Sequence, residues 1–211
     1  MISAPLPVLG VIGAIGAGKS TAAAAFARRG GFVLDCDRLG HVALAQAEVL
    51  AKLVQRWGMG IVQSDRTPNR RAIGAIVFAD AAERMFLESV AVPAIGALVR
   101  AEIAKATGDA GVRFVVLDAA VLLEADWGDF CDRIVYVDAP RAVRLARVMA
   151  RSGWNEAELD RREAAQWPAE KRIARAHAVI ANEGSLADLQ SEVDRLLKDW
   201  GWVDEKEWND G

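Results

Sequence analysis

Gly13, Gly18, Lys19 and Ser20, inside "GVIGAIGAGKST", fit the spacing G-x-x-x-x-G-K-[ST]. The chemistry explains each residue type. Glycines let backbone N–H groups converge on an anion where side chains would block the approach. A helix opening near Lys19 would aim its positive end at the same anion. Lys19 brings a mobile charge for β- and γ-phosphates, and the Ser20 hydroxyl suits Mg2+. The run Gly13, Ala14, Ile15, Gly16, Ala17, Gly18, Lys19, Ser20 and Thr21 is therefore expected to hold a nucleoside triphosphate, ATP or GTP on the loop alone. A chance match to four positions is the competing reading, and its context between a strand and a helix counts against it.

Acids follow in "VLDCDRLGH". Asp35 and Asp37 are expected to end the second strand, at the ligand-binding edge of an open α/β sheet. Their i, i+2 spacing would point both to one face of that strand. A carboxylate there could take or orient a proton from an acceptor hydroxyl, because phosphoryl transfer asks mainly for positioning. Asp35 could equally be a helix cap. His41 lies one helical turn past Asp37 and could orient it or touch the acceptor, although such histidines are commonly just solvated. Arg144, Arg147 and Arg151 recur at i, i+3 and i+7, so one helix face carries three like charges unless an anion sits opposite. With one histidine near the acids and distant cysteines, no zinc-ligand spacing exists.

The elements that must position these groups alternate. "PVLGVIG", "FVLDCD", "VRFVVLDA", "RIVYVDA" and "AVIAN" read as buried strands. Helices are expected over 19–29, 38–57, 69–78, 81–107 with Pro93 kinking or splitting it, 141–151, 155–175 and 185–200. Strands alternating with helices predict a three-layer α/β/α fold around a five-stranded parallel sheet. The chain is read as one domain, 1–211, with a nucleotide-binding core at 1–60, 108–140 and 176–200. A helical insertion is expected at 61–107 and a second, basic one at 141–175.

The totals bound the partners. Of 211 residues 53% are hydrophobic and 26% charged, the balance of a folded domain. A net charge of -3 gives no footprint for nucleic acid or an anionic membrane. No run nears the ~20 apolar residues of a membrane helix. The apolar opening lacks a basic region, carries prolines and runs into the glycine loop, so it reads as a strand and not a signal peptide. Two cysteines make no disulfide framework, which suits a cytoplasmic location. The expected assembly is a monomer or weak homo-oligomer.

"GVIGAIGAGKST", "VLDCDRLGH", "NRRAIGAIVF", "LDAAVLLEADW", "RLARVMARSG", "RREAAQWPAEK" and "AVIANEGSLADL" occur in an order and spacing that resembles the dephospho-CoA kinase family, from about Val8 to Leu189. The resemblance implies a P-loop kinase fold with a helical CoA-side part and a helical lid. It implies transfer of the ATP γ-phosphoryl to the ribose 3′-hydroxyl of dephospho-CoA, with Mg2+ arriving with ATP. It makes Asp37 the base, with Lys19 and Ser20 the phosphate and Mg2+ groups. Arg147 would neutralise the transferring phosphoryl, with Arg151 beside it on the lid, and Asn182 would lie near the adenine. Asp37, His41, Arg70, Asp118, Glu124, Arg162 and Gln166 fall to the acceptor side.

Some family positions differ. Ile12 and Ala14 stand in a loop that usually reads T-G-G-I-G, Val92 replaces a histidine before Pro93, and Ala120-Val121-Leu122 replaces P-L-L. Arg66 takes the place of a turn glycine, and His177 that of an aspartate. The Val92 change keeps open a P-loop kinase for another nucleoside- or ribose-bearing acceptor, and the altered loop keeps open a weakly active ATP-binding regulator.

Overall fold

Unbroken apolar runs bounded by glycine or acid become strands buried on both faces. The computed structural model describes residues 6–119, 122–123, 127–164 and 166–203. In it β1 (Val8–Gly13), β2 (Gly31–Asp35), β3 (Phe114–Asp118), β4 (Arg133–Asp138) and β5 (Ala178–Ala181) form one parallel sheet. The order is β2-β3-β1-β4-β5. Every residue of central β1 is buried, whereas edge strand β5 buries only Ile180 fully. The parallel register brings Val11 beside Asp118, Asp118 beside Asp35, and Gly13 beside Val137. The carboxyl ends of the strands therefore carry the phosphate loop and a row of acids.

The helices are α1 (Lys19–Ala27), α2 (Cys36–Ala45), α3 (Ala47–Trp57), α4 (Arg70–Ala79), α5 (Ala81–Ala106), α6 (Arg141–Ser152), α7 (Glu156–Glu163), α8 (Ala169–Ile173) and α9 (Leu186–Asp199). The alanines of α1 leave no bulk on its inner face, so Ala22, Ala23, Ala25 and Phe26 sink into the main core with Leu9, Phe114 and Val116. Phe26 meets Phe114 edge-on at 6.3 Å, and Trp202 meets Phe114 at 5.6 Å. A capping box between Ser185 and Asp188 starts α9.

Two compact units result, one of Met1–Asp35 with Ile103–Gly211, the other of Cys36–Glu102. The second has its own core, Val49, Leu53, Ile61 and Ile73, so α2 and α3 pack with α4 and α5. The helical part thus begins at Cys36, well before the residue 61 taken from the sequence pattern, because α3 shares this core. Within it Glu83 of α5 receives two hydrogen bonds from Arg56, at 2.7 and 3.1 Å, and one from Trp57 Nε1 at 2.7 Å.

Three element boundaries depart from the sequence reading. The run 38–57 is two helices, with Gln46 extended at φ -63 and ψ 135, although no glycine or proline marks the break. The run 155–175 is also two, and here Pro168 supplies the reason, since the residue before a proline avoids helix. Pro93 lies inside α5 without dividing it; its exposed position lets water take the carbonyl its missing N–H leaves unbonded. The second strand stops at Asp35, and Cys36 and Asp37 belong to α2.

Candidate active site: the phosphate loop and its braces

The loop between β1 and α1 is tightened by Ala17 N–H donating to the Ala14 carbonyl at 3.1 Å. Gly18 occupies the cap position of α1 at φ 92 and has no side chain to satisfy the helix's first N–H groups. A Cβ there would fall 2.2 Å from Nδ2 of Asn182, so the position is closed to any other residue. Gly16, at φ 78, is equally confined: a Cβ would lie 2.7 Å from the Arg144 carbonyl. A helix start with no side-chain cap and the positive end of the helix dipole together suit an anion.

The outer side of the loop is braced. Arg144 donates to the Ile15 carbonyl at 3.2 Å, Arg147 to Ala17 at 3.2 Å, and Arg172 to Gly13 at 2.9 Å. Asn182 Nδ2 also donates to the Ala17 carbonyl, at 2.7 Å, and its own carbonyl accepts from Arg147 at 2.9 Å. In a trans peptide C=O and N–H point opposite ways, so carbonyls held outward leave N–H groups facing inward. Asn182, 7% exposed, is thus a brace beneath the loop.

Ser20 Oγ donates to Asp118 Oδ2 at 2.7 Å. This hydroxyl–carboxylate pair sits in the first turn of α1 and at the end of β3. Two hard oxygen donors side by side fit Mg2+, which binds through one or two carboxylates, a hydroxyl and phosphate oxygens. Asp118, placed on the acceptor side by resemblance, is here joined to the metal-side serine.

The basic segment is a charge network. Arg141 of α6 pairs with Glu156, Asp160 and Glu163 of α7, and Arg144 shares Glu163. The expected repulsion along α6 is therefore met partly by carboxylates. Arg162 donates to Glu158 at 2.6 Å and lies over the Trp154 ring at 4.0 Å. Gln166 accepts from Arg172 at 3.3 Å. Arg151 is exposed and takes no part in the loop bracing.

In the helical unit Asp37 stands in the first turn of α2. This corrects its assignment to a strand face: the chain turns helical at Cys36, and a carboxylate there gains from the helix dipole. His41 follows on the same helix. Arg70, the first residue of α4, brings Nη1 to 2.9 and 3.0 Å from the two ring nitrogens of His41. These residues are 29 apart in sequence, and no pattern in it pairs them. Glu124 lies outside the described residues.

Four of the altered family positions are placed locally, whereas Ala120 and Val121 lie outside the described residues. Ile12 and Ala14 are 3% and 5% exposed, and Ala14 belongs to the main core, so its methyl is turned inward. His177 accepts from the Ile134 N–H through Nδ1 at 2.9 Å, an acceptor role a carboxylate could also fill. Arg66 adopts φ 66, the left-handed conformation that suits glycine. Sequence reasoning missed Arg172 and the bracing by Arg144. The segment "AEKRI" reads as a solvated helix, and nothing in its charge pattern marks the one arginine that is buried.

The sequence model for dephospho-CoA kinase matches residues 7–188. The chain belongs to the dephospho-CoA kinase family. A dephospho-CoA kinase of Anaeromyxobacter dehalogenans is 37% identical over 193 residues, 91% of this chain and 91% of that one. A crystal structure of a Thermus thermophilus protein aligns with TM-score 0.79 at 34% identity, covering 93% of this chain and 98% of the other. The dephospho-CoA kinase from Campylobacter jejuni, 22% identical, shares the fold with TM-score 0.65 over 92% of this chain and 96% of its own. Membership in the dephospho-CoA kinase family makes the chain a kinase, a transferase on a P-loop scaffold.

Proposed function

We propose that the chain transfers the γ-phosphoryl of ATP to the ribose 3′-hydroxyl of dephospho-CoA, giving CoA and ADP. The observation that carries this is the braced phosphate loop with its Ser20–Asp118 pair, in a chain that matches the family over residues 7–188. N–H groups of the stretch 14–21 other than that of Ala17, which the Ala14 carbonyl takes, and the Lys19 ammonium would hold the phosphates. Ser20 and Asp118 would hold the Mg2+ that comes with ATP, which supplies charge neutralisation on the phosphate oxygens.

In the reaction the 3′-oxygen forms a bond to Pγ, the bond from Pγ to the β,γ-bridging oxygen breaks, and ADP leaves with that electron pair. Asp37 orients the hydroxyl and takes its proton. Arg147, which reaches the Ala17 carbonyl from α6, offsets charge on the transferring group. Segment 141–175 acts as a lid that excludes water, and the helical unit Cys36–Glu102 serves the acceptor. Arg70, held against His41, offers a cationic donor for an acceptor phosphate. Only two cysteines in the sequence and two small-molecule substrates fit a cytoplasmic enzyme, acting as a monomer or weak homo-oligomer.

Release of ADP, followed with dephospho-CoA, with adenosine and with no acceptor, tests the reading. Dephospho-CoA should stimulate release well above the blank, and adenosine should not. A rate with dephospho-CoA equal to the blank rejects the proposal, and stimulation by adenosine redirects it to another ribose acceptor.

A further inference from the structure

We propose that Arg172 is a positioning residue for nucleotide phosphate, a cation buried behind the loop that acts through the Gly13 carbonyl. The inference rests on the nucleotide-binding reading above and adds a residue to it.

α8 is a short charged helix, yet Arg172 within it is only 6% exposed. Its Nη1 donates to the Gly13 carbonyl at 2.9 Å and to Gln166 Oε1 at 3.3 Å, and its guanidinium lies 5.6 Å from the Tyr136 ring centre. Each of these partners is neutral. Nε is buried with no hydrogen-bond partner among the described residues, and no described carboxylate forms an ion pair with the group. Arg144, by contrast, reaches both the loop and Glu163.

A buried, half-satisfied cation with no counter-ion among the described residues is expensive to keep. The loop in front of it is built to hold the missing negative charge. The link is one peptide plane: with the Gly13 carbonyl drawn to Arg172, the Ala14 N–H of the same trans peptide points the opposite way. Arg172 therefore aims and polarises an inward N–H, and a phosphate on the far side of that peptide compensates its charge. Because Arg172 is on α8, nucleotide occupancy and the end of the 141–175 segment are coupled through it.

The test is equilibrium binding of ADP and of dephospho-CoA, by calorimetry, to wild type, Arg172→Gln and Arg172→Lys, with thermal unfolding of each. Arg172→Gln should bind ADP about tenfold or more weakly, the scale of a hydrogen bond to a charged group. Its dephospho-CoA affinity should stay within about twofold of wild type. Arg172→Lys, which keeps the charge and loses the fork, should recover part of the ADP affinity. In turnover the KM for ATP should rise while that for dephospho-CoA does not. Unchanged ADP affinity in folded Arg172→Gln overturns the proposal, as does an equal loss of both ligands. Should Arg172→Gln fail to fold, Arg172→Lys decides: wild-type ADP affinity overturns the proposal. A wild type that binds no ADP sinks the nucleotide reading itself, a separate result.

Discussion

At the residue scale the loop divides into groups that meet phosphate and groups that hold the loop's shape. Lys19 belongs to the first, so Lys19→Ala should lose turnover while its unfolding temperature stays near that of wild type; unchanged kinetics would contradict the loop assignment. Gly18 belongs to the second, with its cap angle of φ 92 and Asn182 against it. Arg66 tests local strain independently. It holds φ 66 in a turn closed by the Val62–Pro68 bridge, so Arg66→Gly should stabilise the protein by about 0.5–1 kcal/mol in denaturant unfolding. A loss of stability would contradict the strain. The loop, Lys19 and Ser20 were readable because their chemistry depends on local spacing. Arg172 was not, because burial of one charge in "AEKRI" is decided by β1 and β4, which are far away in sequence.

At the element scale, breaks between helices were the weak part of the reading. A strand-like acid pair turned out to straddle a strand end and a helix start, at Asp35 and Asp37. Periodicity cannot see such a junction, since both residues are polar in either state. The link between α3 and α5 makes a prediction of its own. The Arg56 guanidinium, and after it the Trp57 N–H, hold the Glu83 carboxyl below the usual carboxylate range. Its contribution is present above the unfolded value of about 4.3 and is lost as pH falls through the lowered folded value. Glu83→Gln should therefore be less stable than wild type at pH 7, and the gap should close on acidification. A gap constant from neutral pH to pH of about 3 would contradict this account.

At the scale of the whole molecule, the sheet was the most legible feature, because central parallel strands such as Phe114–Asp118 are apolar up to the acid that ends them. The division at Cys36 was less so, because Val49 and Leu53 of α3 show their apolar face without naming the partner it meets. Arg29, in the turn just past α1, and Asp194 of α9 meet in two hydrogen bonds of 2.7 Å, tying the end of the first helix to the last. Asp194→Ala should lower stability by about 1 kcal/mol, read as a shift in denaturation midpoint, with kcat unaffected. A shift within error would leave that tie without energetic weight.

The account's central claim is that one phosphoryl group passes from this loop to one ribose hydroxyl. Single-turnover transfer from γ-32P-labelled ATP to dephospho-CoA, with the product separated and its phosphate position assigned, measures that event directly. The account predicts label on the 3′-phosphate of CoA in wild type and a large loss of that rate in Asp37→Asn. Label appearing only as inorganic phosphate, or a wild-type rate in Asp37→Asn, would contradict it.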